Sequence, residues 1–367
     1  MTTGVAILGS TGSIGRSTLQ VLSRQRDRFH LVALTAHTNR ELLEAQAREW
    51  KPAFAKCVNG NGRECLVEAA TRPDVGIVVN GIVGAAGLEA TLAALAAGKR
   101  VALANKETLV MAGELVTAAA RAGGGEIVPV DSEHSAVLQC LSGRTPEDVS
   151  RLILTASGGP FRTWSAEQVA AATVEAALRH PTWKMGRKIT VDSATLVNKA
   201  LEVIEAHFLF GLGYEAVEVV VHPQSIIHAF VEFRDGSVLA QVGFPTMELP
   251  ILYALTHPDR VSDGGARRFD PLAAGDLTFE GVNPALFPAY GLGRGAGMAG
   301  GTAPAVFNAA NEVAVELCLD GTIRFSRIAA VIAGTLERVP AGDAGTLAGV
   351  LAADAEARRV AREIACS

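Results

Sequence analysis

Val5 to Leu8 is an apolar run that enters Gly9-Ser10-Thr11-Gly12-Ser13-Ile14-Gly15 and then an amphipathic segment reaching about Ser23. A short buried strand, a glycine turn and a helix, in that order, open a βαβ unit and constrain the fold more than any other feature of the chain. Glycines let a backbone approach a pyrophosphate, which then sits on the free amides of the helix start. The turn lacks the Gly-Lys-Ser/Thr ending of a Walker loop. Apolar strands are predicted again at Leu31 to Thr35, Val75 to Val79, Val101 to Ala104 and Ile127 to Val130, alternating with helical segments. The fold class expected is therefore α/β, with an N-terminal Rossmann-like doubly wound parallel sheet covered on both faces.

In such a sheet the ligand crevice lies outside the carboxyl ends of the strands, so the residues following each strand are the candidates. The second strand runs into Ala36-His37-Thr38-Asn39-Arg40, with no acid to grip ribose hydroxyls. An acid there repels a 2′-phosphate, so its absence beside Arg40 favours NADP over NAD; the plainer alternative is that Arg40 opens an exposed helix. Later strands end at Asn80-Gly81, at Asn105-Lys106-Glu107 and at Asp131-Ser132-Glu133. Charged groups directly after apolar strands are costly unless a ligand or partner satisfies them, although solvated loops give the same pattern. In an extended segment Asp131 and Glu133 point the same way, about 7 Å apart at Cα. With Glu202 as a third oxygen donor they suit a hard cation, Mg²⁺ or Mn²⁺; a structural acidic pair explains the spacing equally well.

Residues 180 to 206, HPTWKMGRKITVDSATLVNKALEVIEA, crowd polar groups of several kinds into one stretch. It reads as a loop with His180, Trp183 and Met185, a short strand from Lys188 to Val191, then a helix with Asp192 or Ser193 near its N-cap. A helix start favours a phosphate, and Ser193, Asn198 and Lys199 put three types of donor beside it. Glu202 follows Asn198 by one turn on the same face. A polar first turn on a solvated helix is the competing reading.

At 367 residues and 49% hydrophobic, the chain is long and apolar enough for two or three domains with real cores. The net charge of −5 with interspersed signs argues against nucleic acid as a partner. No apolar run of about 18 residues or signal-like start is visible, so no membrane association and a cytoplasmic location are expected. Five scattered cysteines with no paired spacing fit reduced thiols. Residues 1–130 are expected to form the NADPH-binding domain and 131–255 a central α+β catalytic domain. Its sheet is signalled by Val217 to Val221 and a hairpin, Ile226 to Phe233 with Val238 to Val242, turning at Asp235-Gly236. A linker rich in Gly and Pro, 256–300, leads to helical runs near 305–319, 323–338 and 343–365 in a C-terminal domain, 301–367.

The strings GSTGSIG (9–15), ALANKE (102–107), VDSEHSA (130–136), TASGGPF (155–161), the 180–206 stretch, HPQSIIH (222–228) and NAANEVAV (308–315) run in order along nearly the whole chain. Together they resemble the 1-deoxy-D-xylulose 5-phosphate reductoisomerase family. The resemblance implies an enzyme that rearranges a phosphorylated sugar and reduces it with NADPH in the non-mevalonate isoprenoid route. It implies metal ligation by Asp131, Glu133 and Glu202, and a phosphate site made by Ser157, Ser193, Asn198 and Lys199. Lys106, Ser132 and His180 would contact sugar oxygens, with Lys106, Glu133 and His180 the catalytic set. NADPH contacts would be Thr11, Gly12, Ser13, Ile14, Asn39, Asn105, Glu107 and Gly186, with Pro245 and Met247 near the nicotinamide. Trp183 and Met185 would lie on a lid, the last domain would be a helical bundle, and the enzyme a homodimer. His37 and Thr38 stand where some relatives carry a Gly-Lys pair. Two other readings remain: a semialdehyde dehydrogenase, which needs a catalytic cysteine at a strand end where none is placed, and an NADP-binding sensor, which needs neither three carboxylates nor a phosphate clamp.

Overall fold

The computed structural model describes residues 2–366 as two compact units. The first comprises Met1–Thr108, Val116–Ser142 and Thr246–Arg268, and the second Leu109–Leu115, Gly143–Pro245 and Phe269–Ser367. No helix among the described residues is long and apolar enough to cross a membrane.

In the first unit six parallel strands, β1 (Thr3–Leu8), β2 (Phe29–Ala36), β3 (Phe54–Cys57), β4 (Ile77–Asn80), β5 (Arg100–Leu103) and β6 (Glu126–Pro129), lie in the order β3-β2-β1-β4-β5-β6. The doubly wound arrangement expected from the alternating pattern is present, with its order reversing between β1 and β4. The short strand β3, with only two buried residues and a lysine, gave no apolar run to read. Helix Glu248–Thr256 closes this unit, since its Ile251, Leu252 and Leu255 join Val5, Leu34, Val79 and Val128 in one buried cluster. Burying such side chains contributes about 1.5–3 kcal/mol each, which explains why a segment distant in sequence belongs here.

The second unit holds a mixed sheet, β7 (Val149–Ala156), β8 (Val217–Val221), β9 (Ile227–Phe233), β10 (Val238–Val242) and β11 (Glu280–Gly281), in the order β10-β9-β7-β8-β11. The hairpin β9–β10 and strand β8 lie where the sequence places them. The stretch 256–300, read as a linker, contains helix Pro288–Ala299. Its glycines hid it, because each costs a helix about 1 kcal/mol relative to alanine. Two of them allow close packing: a Cβ on Gly293 would lie 2.4 Å from the Phe307 ring, and one on Gly297 2.8 Å from that of Tyr214. Helices Ala303–Leu319, Ile328–Arg338 and Leu347–Cys366 form the helical C-terminal region, fastened by Arg358, which bonds both Asp354 and Glu312 at 2.7 Å.

Candidate functional site

The carboxyl ends of β1 and β4, where the strand order reverses, form the crevice that a doubly wound sheet offers a ligand. Gly9 has φ +84°, and a Cβ there would lie 3.0 Å from the Gly81 carbonyl oxygen; one on Gly15 would lie 2.4 Å from Ser10 Cα. Gly12 is different. A Cβ there would meet nothing nearer than 3.3 Å, and as N-cap of helix Ser13–Arg24 it leaves that helix start without a side-chain cap. Thr11, Ser13 and Ile14 are half-buried or exposed around these amides. Asn39 caps helix Arg40–Trp50 by accepting from Leu42 N at 3.1 Å, and Arg40, exposed, reaches the Asn59 carbonyl oxygen at 3.3 Å.

Asn105 is fully buried, and its Nδ2 donates to the carbonyl oxygens of Ile82 (2.8 Å) and Gly84 (2.9 Å) and to Glu107 (3.0 Å). The side chain is thus spent on shaping the crevice wall. Lys106 forms a buried ion pair with Asp131. Asp131 and Glu133 do not lie in an extended segment, contrary to the reading from spacing. Asp131 is the N-cap of helix Ser132–Cys140 and accepts from Glu133 N at 3.2 Å. Capping pulls the chain into a helix directly at the strand end, yet carboxylate oxygens of Asp131 and Glu133 still lie within 4.8 Å of each other. Ser132 Oγ donates to the Glu133 carboxylate.

In the second unit, Lys188 to Val191 is not a strand but part of helix Arg187–Ala194, whose N-cap is Gly186. Ile189, Thr190 and Val191 have the β-branched look of a strand, but burial of Val191 and Ala194 and the back-bond from Thr190 Oγ1 to Gly186 O (2.8 Å) fix the helix. Asp192 and Ser193 consequently sit near its C-terminal end. The second helix, Val197–Phe210, starts instead at Leu196, held in the left-handed region at φ +56°. A non-glycine residue there marks a geometry imposed by its surroundings.

This junction gathers most of the residues proposed to hold phosphate. Asn198 and Lys199 lie in the first turn, donating to Glu202 Oε1 and Oε2, each at 2.5 Å. Gly158 and Gly159 both have positive φ, and a Cβ on Gly159 would lie 2.6 Å from the Ser193 carbonyl oxygen, so the Ser157 turn presses against the end of the preceding helix. His180 Nε2 lies 2.9 Å from Ser157 Oγ. Burial, aided by the Lys199 charge, pushes the His180 pKa down to about 4. Trp183 and Met185 are half-buried in the irregular loop before Gly186, the Trp183 ring edge-on to His228 at 6.4 Å. The roles of Gly158, Gly159 and Leu196 are not legible as site features; the doubled glycine of TASGGPF is the only signal of that close approach.

A doubly wound sheet with an open glycine turn at its switch point, in a chain that also carries this buried cluster of donors and a carboxylate, defines a dinucleotide-dependent oxidoreductase. Family models described as 1-deoxy-D-xylulose 5-phosphate reductoisomerase match residues 5–61 and 56–113, and those of its C-terminal domains match 127–210 and 242–360. The chain belongs to the 1-deoxy-D-xylulose 5-phosphate reductoisomerase family. It is 50% identical to the reductoisomerase of Symbiobacterium thermophilum, covering 99% of each chain, and 50% identical to that of Ralstonia nicotianae, covering 97% and 96%. The solved enzyme from Zymomonas mobilis in complex with NADPH is 41% identical with a TM-score of 0.91, covering 100% of both chains. A reductoisomerase in complex with NADPH, fosmidomycin and magnesium is 39% identical with a TM-score of 0.93, covering 99% and 98%.

Proposed function

We propose that this chain converts 1-deoxy-D-xylulose 5-phosphate to 2-C-methyl-D-erythritol 4-phosphate, using NADPH and a divalent ion, Mg²⁺ or Mn²⁺. The observation that carries the reading is a pair of side-chain groups in the second unit, Ser157 bonded to His180 and Glu202 bonded to Asn198 and Lys199, with the Lys199 charge acting on the His180 ring. The relatives solved with NADPH and with magnesium support both cofactors.

The proposed ligands of the ion are Asp131, Glu133 and Glu202. The donor chemistry fits: three carboxylates and no thiolate suit a hard cation. Asp131 and Glu202 are buried against Lys106 and Lys199, so each already needs positive charge beside it. When bound, the ion would supply Lewis-acid polarisation of substrate oxygens and NADPH the hydride.

Ser157, Ser193, Asn198 and Lys199 would grip the substrate phosphate, fixing one end while the sugar is rearranged. Lys106 and Ser132 would hold sugar oxygens. Thr11, Gly12, Ser13 and Ile14 would seat the pyrophosphate on the first helix start, Asn39 and Arg40 would face the adenosine end, and Glu107 and Gly186 would complete the coenzyme site. Asn105, its side chain spent, would contribute through its backbone. The 181–186 loop would act as the lid, with Trp183 and Met185 excluding water. On this reading residues 1–130 serve NADPH and 131–255 catalysis, and the protein is a cytoplasmic homodimer.

The test is loss of NADPH absorbance on adding 1-deoxy-D-xylulose 5-phosphate, with Mg²⁺ or Mn²⁺ present and again after chelation. Metal-dependent oxidation is expected. Absence of oxidation in folded protein that binds NADPH would overturn the reading.

A further inference from the structure

The hydrogen bonds around His180 fix which way its protons point. Its Nδ1 accepts two backbone N–H groups, from Thr182 at 3.1 Å and Trp183 at 2.9 Å. A ring nitrogen that accepts carries no proton, so the single proton of the neutral imidazole is on Nε2. Nε2–H therefore donates to Ser157 Oγ, 2.9 Å away. The same oxygen accepts Gly159 N–H at 3.2 Å. A hydroxyl oxygen has two lone pairs, and both are now used. Only the Ser157 O–H proton is left to make a bond.

We propose that His180 is a fixed hydrogen-bond donor and not a proton acceptor, and that it acts by turning Ser157 into a donor-only hydroxyl for an anionic substrate oxygen. An anionic oxygen is the acceptor that suits a hydroxyl unable to accept in return. The charge acting on the ring is that of Lys199, which also disfavours the imidazolium. The two N–H groups that set the tautomer belong to the loop carrying Trp183. Its backbone thus orients the imidazole, and through it the serine. In this arrangement a proton removed from substrate must go elsewhere, since Nε2 already carries its own and Nδ1 is enclosed by backbone donors.

The inference rests on the reading of Ser157 and His180 as substrate contacts, and two measurements separate the failure of each. The first is nitrogen NMR of the full chain labelled in histidine, without substrate, assigned by loss of one signal in His180→Gln. A protonated Nε2 and unprotonated Nδ1, unmoved from about pH 8 to about pH 5, is expected over the range where an ordinary imidazole charges. A protonated Nδ1, or titration in that range, would overturn the donor role whatever the turnover assay gives. The second is turnover of His180→Gln and His180→Ala. Glutamine keeps an N–H donor, so it is expected to hold kcat/KM within about tenfold of wild type, while alanine loses roughly a hundredfold, the scale of losing one preorganised donor. Equal losses in both, of that size, would show that a base is needed and overturn the proposal. A fixed tautomer with no loss in either variant would remove His180 from the substrate site, and the proposed action on substrate with it.

Discussion

Asn311 donates from Nδ2 to Oδ1 of Asp192 at 2.8 Å, joining the NAANEVAV motif to the helix that follows the loop of Trp183. Both side chains are buried, and Lys188 Nζ holds the other Asp192 oxygen at 2.9 Å. Helix Arg187–Ala194 is thereby tied to helix Ala303–Leu319. Asn311→Ala leaves a buried carboxylate short of one donor, which should lower the unfolding free energy by about 1–3 kcal/mol. Asn311→Asp should cost more, because it sets a second carboxylate against the first. Urea denaturation of the purified variants checks both, and unchanged midpoints would mean the bond contributes nothing.

Glu202 is 1% exposed, with its two carboxylate oxygens held by Asn198 and Lys199. Glu202→Gln keeps the shape and removes the charge. Turnover should fall by roughly a hundredfold or more, the loss typical of one preorganised electrostatic group, while NADPH affinity stays at the wild-type value. Retained turnover would sink the assignment of this residue to the metal.

The two glycines of the first turn should separate folding from binding. Gly15→Ala drives a Cβ to within 2.6 Å of three backbone atoms, a clash that no side-chain rotation relieves. It should destabilise the first unit by about 1–3 kcal/mol. Gly12→Ala meets only one atom, at 3.3 Å, so the fold should tolerate it. Its methyl group would stand at the exposed helix start, weakening NADPH binding with little change in melting temperature. Calorimetry and fluorescence titration of each variant read the two effects, and the same loss of affinity at unchanged stability in both would contradict the distinction.

Five of the six strands of the first sheet were legible because they read as apolar runs such as Val5 to Leu8, whereas β3 offers none. The hairpin of β9 and β10 was legible from its Asp-Gly turn. Helix Arg187–Ala194 was misread as a strand because Ile189, Thr190 and Val191 carry β propensity that tertiary packing overrides. Helix Pro288–Ala299 was lost because local sequence records the cost of glycine but not the Phe307 ring that requires it. At the site, Glu202 was placed one turn after Asn198 on the same helix face from spacing alone, although the helix starts at Val197 and not at Asp192 or Ser193. The bonds that couple Ser157, His180 and the 181–186 loop depend on contacts between segments, which periodicity does not encode.

Arg40 sits in the first turn of helix Arg40–Trp50, where a cation is disfavoured by the helix dipole. A 2′-phosphate beside it would remove that penalty and give the guanidinium a better partner than the Asn59 carbonyl oxygen at 3.3 Å. Arg40→Ala should therefore weaken NADPH binding by about tenfold, equal to about 1.4 kcal/mol, and leave NADH binding unchanged. Equilibrium titration with both coenzymes checks the difference. An equal effect on both would place Arg40 away from the phosphate.

Acid should act on the folded chain through His180. The unfolded chain takes up this proton near pH 6.5, whereas the folded chain does so only near pH 4, because burial and then the Lys199 charge disfavour the imidazolium. Between those values the unfolded state binds the extra proton, so this residue's contribution to stability is fully present above pH 6.5 and is lost as the pH falls toward 4. His180→Gln removes the titrating group but leaves every other one in place. The variant should lose less stability than wild type over that window, so its urea midpoint, compared with that of wild type, should rise as the solution is acidified. Parallel curves for the two proteins would mean that His180 protonates alike in both states and would overturn this prediction.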